Sequence, residues 1–94
     1  MLLYIVVYDI PVDKRRKKVH DLLKGYGKWV QYSTFECVLP TAKFAELQRR
    51  LRKLINLDED SIRFYPVSGH TLGNVQTWGV GPPVTELPGS VIIT

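Results

Sequence analysis

One carboxylate stands at the end of the most apolar stretch of the chain, shortly before a run of cations. Residues 2–9, LLYIVVYD, are apolar up to Asp9. Carboxylate oxygens are ligands that Mg²⁺ prefers, and bound Mg²⁺ can activate a water for attack on a phosphodiester. Asp9 is therefore a candidate metal ligand of a nuclease. A carboxylate that caps the following helix, or hydrogen-bonds the turn at Ile10 and Pro11, is an equally good interpretation.

The cationic run lies where a helix should begin. Pro11 and Asp13 predict the helix start, and the helix should continue to about Tyr26, with Gly27 as its cap. Cations oppose the helix dipole at this end, yet together with exposed backbone amides they form a phosphate site. A solvated polar face is the alternative. We predict nucleic-acid binding by the five residues of the run, Lys14, Arg15, Arg16, Lys17 and Lys18.

The chain offers few other reactive side chains. The two histidines lack metal-binding spacing, the single cysteine is more typical of a core than of a nucleophile, and the hairpin serine has no nucleophile-elbow setting. Three hairpin aromatics could stack on bases, although such residues more often belong to a core or a dimer interface. The histidines are His20 and His70, the cysteine is Cys37 and the hairpin serine is Ser33. The three hairpin aromatics are Trp29, Tyr32 and Phe35.

Charge is unevenly distributed along the 94 residues. The chain contains thirteen Lys and Arg and nine Asp and Glu. Every Lys and Arg lies within residues 14–63, and residues 64–94 carry one charged group, Glu86. This predicts a basic body that binds a polyanion and a nearly neutral tail for apolar docking. A single cysteine excludes an intramolecular disulfide and a CxxC zinc cluster. Without a leader or a membrane-spanning run, we expect a cytoplasmic protein with no membrane contact.

Hydrophobic spacing predicts a small α+β domain. Strands are expected over residues 2–9, 62–67 and 75–80, with a hairpin over 28–39 that turns near 32–34. Helices should follow the first strand and Pro40. The order is that of the ferredoxin-like βαββαβ fold with an extra C-terminal strand. The first strand does not alternate, so both its faces should be covered, one of them by a second copy in a homodimer with paired sheets.

Two regions are expected along the chain. Residues 1–80 should form the ferredoxin-like domain, and residues 81–94 a Gly- and Pro-rich tail that could close on a short strand. Such a tail has little to pack on within its own chain. The homodimer would bring two copies of Asp9 close to its axis, and this pair could share a metal ion.

Several segments in order resemble one protein family. The strand ending Tyr8 and Asp9, followed by IPVDKRRKKV, LLKGYG, VQYSTFE and SIRFYPV, is similar to the small CRISPR-associated adaptation protein Cas2. The resemblance covers roughly residues 1–80. It implies a ferredoxin-like homodimer, and some members are Mg²⁺-dependent endonucleases that cut RNA or duplex DNA.

The resemblance also assigns site residues. It implies that Asp9 is the ligand of Mg²⁺, and that the site includes Tyr8, the helix residue Arg16, and Ser33 and Phe35 of the hairpin. It further implies a second role, in which the homodimer bridges prospacer duplex DNA together with the CRISPR integrase Cas1, with nuclease activity dispensable. Three hypotheses therefore stand: a metal-dependent endonuclease on single-stranded RNA or duplex DNA, a non-catalytic DNA bridge, and a toxin-type ribonuclease of VapD-like fold.

Overall fold

A central strand organises the sheet, because β-branched and aromatic residues favour a pleated, packed surface. The computed structural model describes residues 1–87. It contains the strands β1 (Leu2–Asp9), β2 (Lys28–Gln31), β3 (Thr34–Leu39) and β4 (Ser61–Val67). They form one antiparallel sheet in the order β2-β3-β1-β4, so β1 is hydrogen-bonded on both sides.

Two helices cover one face of this sheet. Helix α1 (Asp13–Lys24) buries Val19 and Leu23, and helix α2 (Thr41–Leu54) buries Leu47 and Leu51. This spacing of one turn places each pair on the face that packs on the strands. The element order confirms the predicted ferredoxin-like plan. No helix within residues 1–87 is both long and apolar enough to cross a membrane.

Alternate residues of the two central strands form the core beneath the helices. Tyr4, Val6 and Tyr8 of β1 pack there, and the Tyr4 ring stacks on Phe44 of α2 with 3.7 Å between the centroids. The hairpin side chains Phe35, Cys37 and Leu39 are buried in the same cluster, as predicted. Burial raises the pKa of the Cys37 thiol to about 12, so the side chain remains a neutral core residue.

The opposite face of the sheet is partly covered by the chain itself. Leu3 and Val67 pack with Leu72 of the short helix α3 (Gly69–Leu72), and Val84 and Leu87 lie against this cluster. The expectation that the tail has little to pack on within its own chain is therefore wrong for these residues. This packing could not be predicted from local patterns, because the cluster combines residues from separate elements of the chain.

One hydrogen bond also ties this segment to the sheet. The backbone N–H of Thr85 donates to a Glu36 carboxylate oxygen at 2.8 Å. Glu36 lies opposite Ile5 in the β1–β3 pair, near the middle of the same face. Residues 84–87 therefore contact the sheet between the start of β1 and the centre of this face.

The predicted strand at residues 75–80 is wrong. Helix α3 is followed by residues 73–87 without regular secondary structure, and within the described residues nothing pairs with residues 75–80 as a strand. Alternating apolar residues form a strand only if a sheet edge accepts them. The tail strand expected near residues 90–94 lies outside the described residues. Helix α1 ends at Lys24 rather than near Tyr26, with Gly25 as its cap.

An ion pair joins the start of α1 to the loop that precedes β4. The Arg15 guanidinium donates to Asp60 at 2.9 Å and to Glu59 at 2.8 Å. The Asp60 side chain is fully buried and also accepts the backbone N–H of Asn56 at 2.8 Å. The Arg15 hydrogen bond, assisted by that of Asn56, holds the pKa of Asp60 below its usual value.

We predict that Gly27→Ala destabilises the fold by about 1–3 kcal/mol, because overpacking forces neighbouring atoms to move. A Cβ at Gly27 would lie 2.4 Å from Cys37 Sγ and 2.5 Å from the Glu36 carbonyl oxygen. Urea unfolding measures the effect. Gly25→Ala is the matched control, since its Cβ would meet only the Leu22 carbonyl oxygen at 3.4 Å. Equal stability of the two variants would contradict the prediction.

We also predict that Asp60→Asn removes a part of the stability that depends on pH. A carboxyl whose pKa is lowered on folding stabilises the protein above its unfolded pKa, near 3.8, and loses this effect as the pH falls through the folded pKa. Wild type should therefore exceed Asp60→Asn in unfolding free energy at pH 7 and lose this advantage below about pH 4. Asp58→Asn, in the same loop, is the control. An advantage that persists unchanged at low pH would refute the assignment.

Candidate functional site

The two neighbouring residues at the end of β1 lie on opposite faces of the sheet. Side chains alternate along a strand, and Tyr8 belongs to the cluster beneath the helices, with 5% of its surface exposed. Asp9 is exposed and pairs in register with Ser61 of β4. The two neighbouring site residues are therefore separated, with Tyr8 buried on the helix side and Asp9 exposed on the other side.

Asp9 does not have the structural roles that were its alternatives. The N-cap of α1 is Val12, and no side chain caps the helix there. The carbonyl oxygen of Ile10 accepts a hydrogen bond of 2.9 Å from Arg16 instead. Arg16 also pairs with Asp13 within the first turn of α1. Arg16 thus fixes the turn that follows Asp9 and leaves the carboxylate available.

The carboxylate is one oxygen donor group rather than a complete metal site. Within residues 1–87, no three His, Cys, Asp or Glu side chains lie close enough together to hold a metal ion. Asp9 suits a hard cation, but one carboxylate provides too few ligands. Arg63 of β4 follows Ser61 by two residues, on the same face as Asp9. This end of the face therefore combines a carboxylate, a hydroxyl and a cation.

Tyr8 connects three elements on the helix side. Its backbone N–H donates to the Ser33 carbonyl oxygen at 3.0 Å, and its ring packs on Phe35 with 6.5 Å between the centroids. Burial raises the pKa of the Tyr8 phenol, and Ser33 and Arg16 offset only part of the rise. The phenol is therefore protonated at neutral pH. Ser33 and Phe35 hold the end of β1 rather than facing Asp9.

His20 belongs to this arrangement, although its position in the sequence predicts no metal site. Its Nδ1 lies 3.2 Å from the Tyr8 hydroxyl, and its ring meets Phe35 edge-on at 5.1 Å and Trp29 at 6.1 Å. The available signal was its spacing: Arg16, His20 and Lys24 follow one another every four residues, which aligns them on one helix face.

The five cations at the start of α1 differ in exposure and in ion-pair partners. Arg15 pairs with Glu59 and Asp60, Arg16 with Asp13, and Lys17 with Asp21 at 2.8 Å. Lys14 and Lys18 are exposed, and the described part of the chain gives them no carboxylate partner. Arg15 in particular is directed into the fold. The two lysines are the members of the run best placed to meet a phosphate.

A shallow cleft lies between α1 and the hairpin turn. Its volume is about 660 Å³, and its wall combines cations, acids and hydroxyl groups. Among its polar side chains, Tyr8 alone is deeply buried. The lining residues are Tyr8, Asp13, Arg16, Lys17, His20, Asp21, Lys24, Tyr32 and Ser33. Four of the residues assigned by resemblance or by charge therefore meet in one place, and Asp9 lies outside it.

Comparison with known proteins identifies relatives over most of the chain. Residues 1–75 match the family described as CRISPR associated protein Cas2. A Synechocystis sp. protein named CRISPR-associated endoribonuclease Cas2 3 is 62% identical over 93 residues, covering 99% of this chain and 100% of the relative. The crystal structure of Streptococcus pyogenes Cas2 has a TM-score of 0.73 and 35% identity, covering 82% of this chain and 99% of that chain.

A further solved structure, a partial Cas6-RT-Cas1–Cas2 complex, contains a chain with a TM-score of 0.79 and 33% identity. The match covers 94% of this chain and 95% of that chain. Sequence and structure thus agree on the relatives, and the matched residues include both Asp9 and the hairpin. The chain belongs to the CRISPR-associated Cas2 family.

Proposed function

We propose that this protein is a CRISPR adaptation protein that binds duplex DNA as a homodimer in the spacer-integration complex with Cas1. We further propose that it acts in the cytoplasm as a Mg²⁺-dependent endonuclease through Asp9. Membership of the Cas2 family supports both roles. The Synechocystis relative is named an endoribonuclease, and one structural neighbour comes from a complex that contains Cas1. Because the family is Cas2, we do not propose the VapD-like toxin activity.

The observation that carries the nuclease proposal is the position of Asp9. It is an exposed carboxylate at the end of the central strand, without a capping role. A single copy provides one such group, so the site is incomplete without another. A second copy related by a twofold axis would contribute its own Asp9 from the same sequence position.

The open face of the sheet supports the proposed dimer. Val7 of β1 and Tyr65 of β4 lie on this face beyond the segment formed by residues 84–87, and 46% of Tyr65 is exposed. Apolar surface of this kind gains free energy when a second copy buries it. Asp9 lies at the end of β1 that residues 84–87 do not reach. Dimerisation through this region would therefore bring the carboxylates near one another.

Two copies of Asp9 suit Mg²⁺ as oxygen ligands, and the bound ion would activate a water and neutralise charge on the phosphate. The surrounding residues have supporting functions. Arg63, on the same face, can bind a phosphate oxygen of the substrate. Arg16 fixes the turn after Asp9 through the Ile10 carbonyl. Tyr8, Ser33 and Phe35 hold the end of β1, so we propose that they position Asp9 from the other side of the sheet.

Duplex binding would use the outer surface of α1. Lys14 and Lys18 are exposed and four residues apart, which aligns them on one side of the helix. Cations without carboxylate partners can replace the counterions of nucleic-acid phosphates at little cost. Arg15 and Arg16 contribute less, because their guanidinium groups already donate to carboxylates or carbonyl oxygens.

A non-catalytic DNA bridge remains a second candidate. The observation that favours it is the absence of a three-ligand metal cluster among residues 1–87 of one copy. In that case Lys14 and Lys18 would bind the duplex, and Asp9 would have no catalytic role. Cleavage and binding therefore have to be measured separately.

We predict that Asp9→Asn lowers Mg²⁺-dependent cleavage of labelled single-stranded RNA or duplex DNA by at least about 100-fold, because a neutral amide replaces a metal ligand. Dimerisation and duplex binding should stay unchanged. Isothermal titration with Mg²⁺ gives a readout that does not depend on cleavage, and binding should weaken in Asp9→Asn. Asp58→Asn is the control for loss of an acid. Duplex binding without any chelator-sensitive product from wild type would establish the bridge instead.

We predict that Lys14→Ala together with Lys18→Ala weakens duplex binding and reduces its salt dependence. Each lost phosphate contact should lower the slope of log affinity against log salt by about 0.9, so the double variant should lose about 1.8 for each protomer that contacts the duplex. Fluorescence anisotropy at several salt concentrations measures this slope. Lys43→Ala is the control, because Lys43 already pairs with Glu46 at 3.4 Å. A slope unaffected by the two lysines would contradict the assignment.

A further inference from the structure

The hairpin turn holds an aromatic residue in an unfavourable backbone conformation. Tyr32 has a φ of 42°, and among residues 1–87 it is the one non-glycine residue with positive φ. A Cβ is disfavoured in this left-handed region, where Gly or Asn is usual. Residues kept in such conformations concentrate at binding and catalytic sites. Tyr32 is therefore a candidate for a role that requires its side chain.

The ring of Tyr32 does not contribute to the core. Its surface is 88% exposed, and the neighbouring Trp29 is 53% exposed. The Trp29 indole N–H donates to the Tyr32 carbonyl oxygen at 2.7 Å and so fixes the turn. The expected core position is wrong for Trp29 and Tyr32 and is confirmed for Phe35, which is fully buried. The result is a rigid turn that presents a flat aromatic ring to solvent.

The cleft beside this ring can bind an anion. Three cations of α1 line it, Arg16, Lys17 and Lys24, against the two acids Asp13 and Asp21. Lys17 and Lys24 share Asp21, at 2.8 and 3.8 Å, so this carboxylate cannot neutralise both. Hydroxyl groups of Ser33 and Tyr8 add hydrogen-bonding capacity. An exposed ring next to a cationic cleft is the combination that single-strand binding proteins use.

The turn is also connected to the end of β1. The Tyr8 N–H to Ser33 carbonyl bond joins it to the residue that precedes Asp9. A single-stranded nucleic acid bound at the turn would therefore lie at the same end of the sheet as Asp9, the proposed metal ligand. Bases in a duplex are stacked on one another and offer no free face, so a single exposed ring selects unpaired bases.

We propose that Tyr32 stacks on an unpaired base of single-stranded nucleic acid, and that the adjoining cleft, where Lys17 and Lys24 share one carboxylate, binds an adjacent phosphate. This inference rests on the proposed nucleic-acid function and names the residues that distinguish single strands from duplex. Trp29 and Ser33 are positioning residues, because they act by holding the turn.

The test compares Tyr32→Asn with Tyr32→Phe. Asn tolerates the left-handed conformation and removes the ring, whereas Phe keeps the ring. Fluorescence anisotropy is measured with oligouridylate and oligothymidylate of about twelve nucleotides and with a blunt duplex. Tyr32→Asn should weaken binding of the single strands by at least about 5-fold, and Tyr32→Phe should behave as wild type. Trp78→Ala, which removes an aromatic residue that is 89% exposed, is the control.

Duplex binding by the same variants separates the possible outcomes. Unchanged single-strand affinity of Tyr32→Asn, with duplex binding intact, overturns this inference alone. A parallel loss of single-strand and duplex binding also overturns it, since the ring would then not discriminate. A wild-type protein that binds no nucleic acid overturns the proposed function as well. Photocrosslinking with 5-iodouracil oligonucleotides adds a direct readout: the adduct should map to Tyr32, and an adduct elsewhere on the chain contradicts the stacking.

Discussion

The pairing of β1 on both of its edges is the constraint on which the remainder of the structure depends. β3 and β4 fix its register from either side. A shift by one residue would exchange all the side chains between the two faces, exposing Val6 and Tyr8 and burying Asp9. The same pairing therefore builds the core and places the Asp9 carboxylate on the face opposite Tyr8. The exposed position of Asp9 and the stability of the core beneath the helices are consequences of one register.

The geometry of α1 explains why consecutive cations make different contacts. Neighbouring residues of a helix point about 100° apart, so five in a row are directed all around its axis. Arg15 reaches the loop before β4, Arg16 reaches back to the turn after β1, and the lysines remain at the surface. A charge run in sequence is thus a set of separate contacts in the structure.

Local patterns predicted the elements, and long-range contacts were the part that could not be predicted. Periodicity identified the four strands and both long helices, because each pattern is contained within one segment. It failed at residues 75–80, where a suitable pattern pairs with neither open edge of the sheet, and at Val84 and Leu87, whose partners belong to other elements of the chain. The residue pattern itself indicated Asp9 and Arg16, whereas the resemblance supplied Tyr8, Ser33 and Phe35. It could not supply His20, because the contact with Tyr8 is tertiary.

The segment around Thr85 has a consequence for self-association. It occupies part of the face that a second copy would bury, and it is tethered to that face. A tethered competitor acts at an effective concentration on the order of millimolar, whatever the concentration of the protein. The apolar surface beneath this segment is thus covered in a dilute or newly synthesised chain, before any partner is available. Assembly that uses the whole face must first exchange an internal contact for an external one, which would make its rate depend on how often the segment opens.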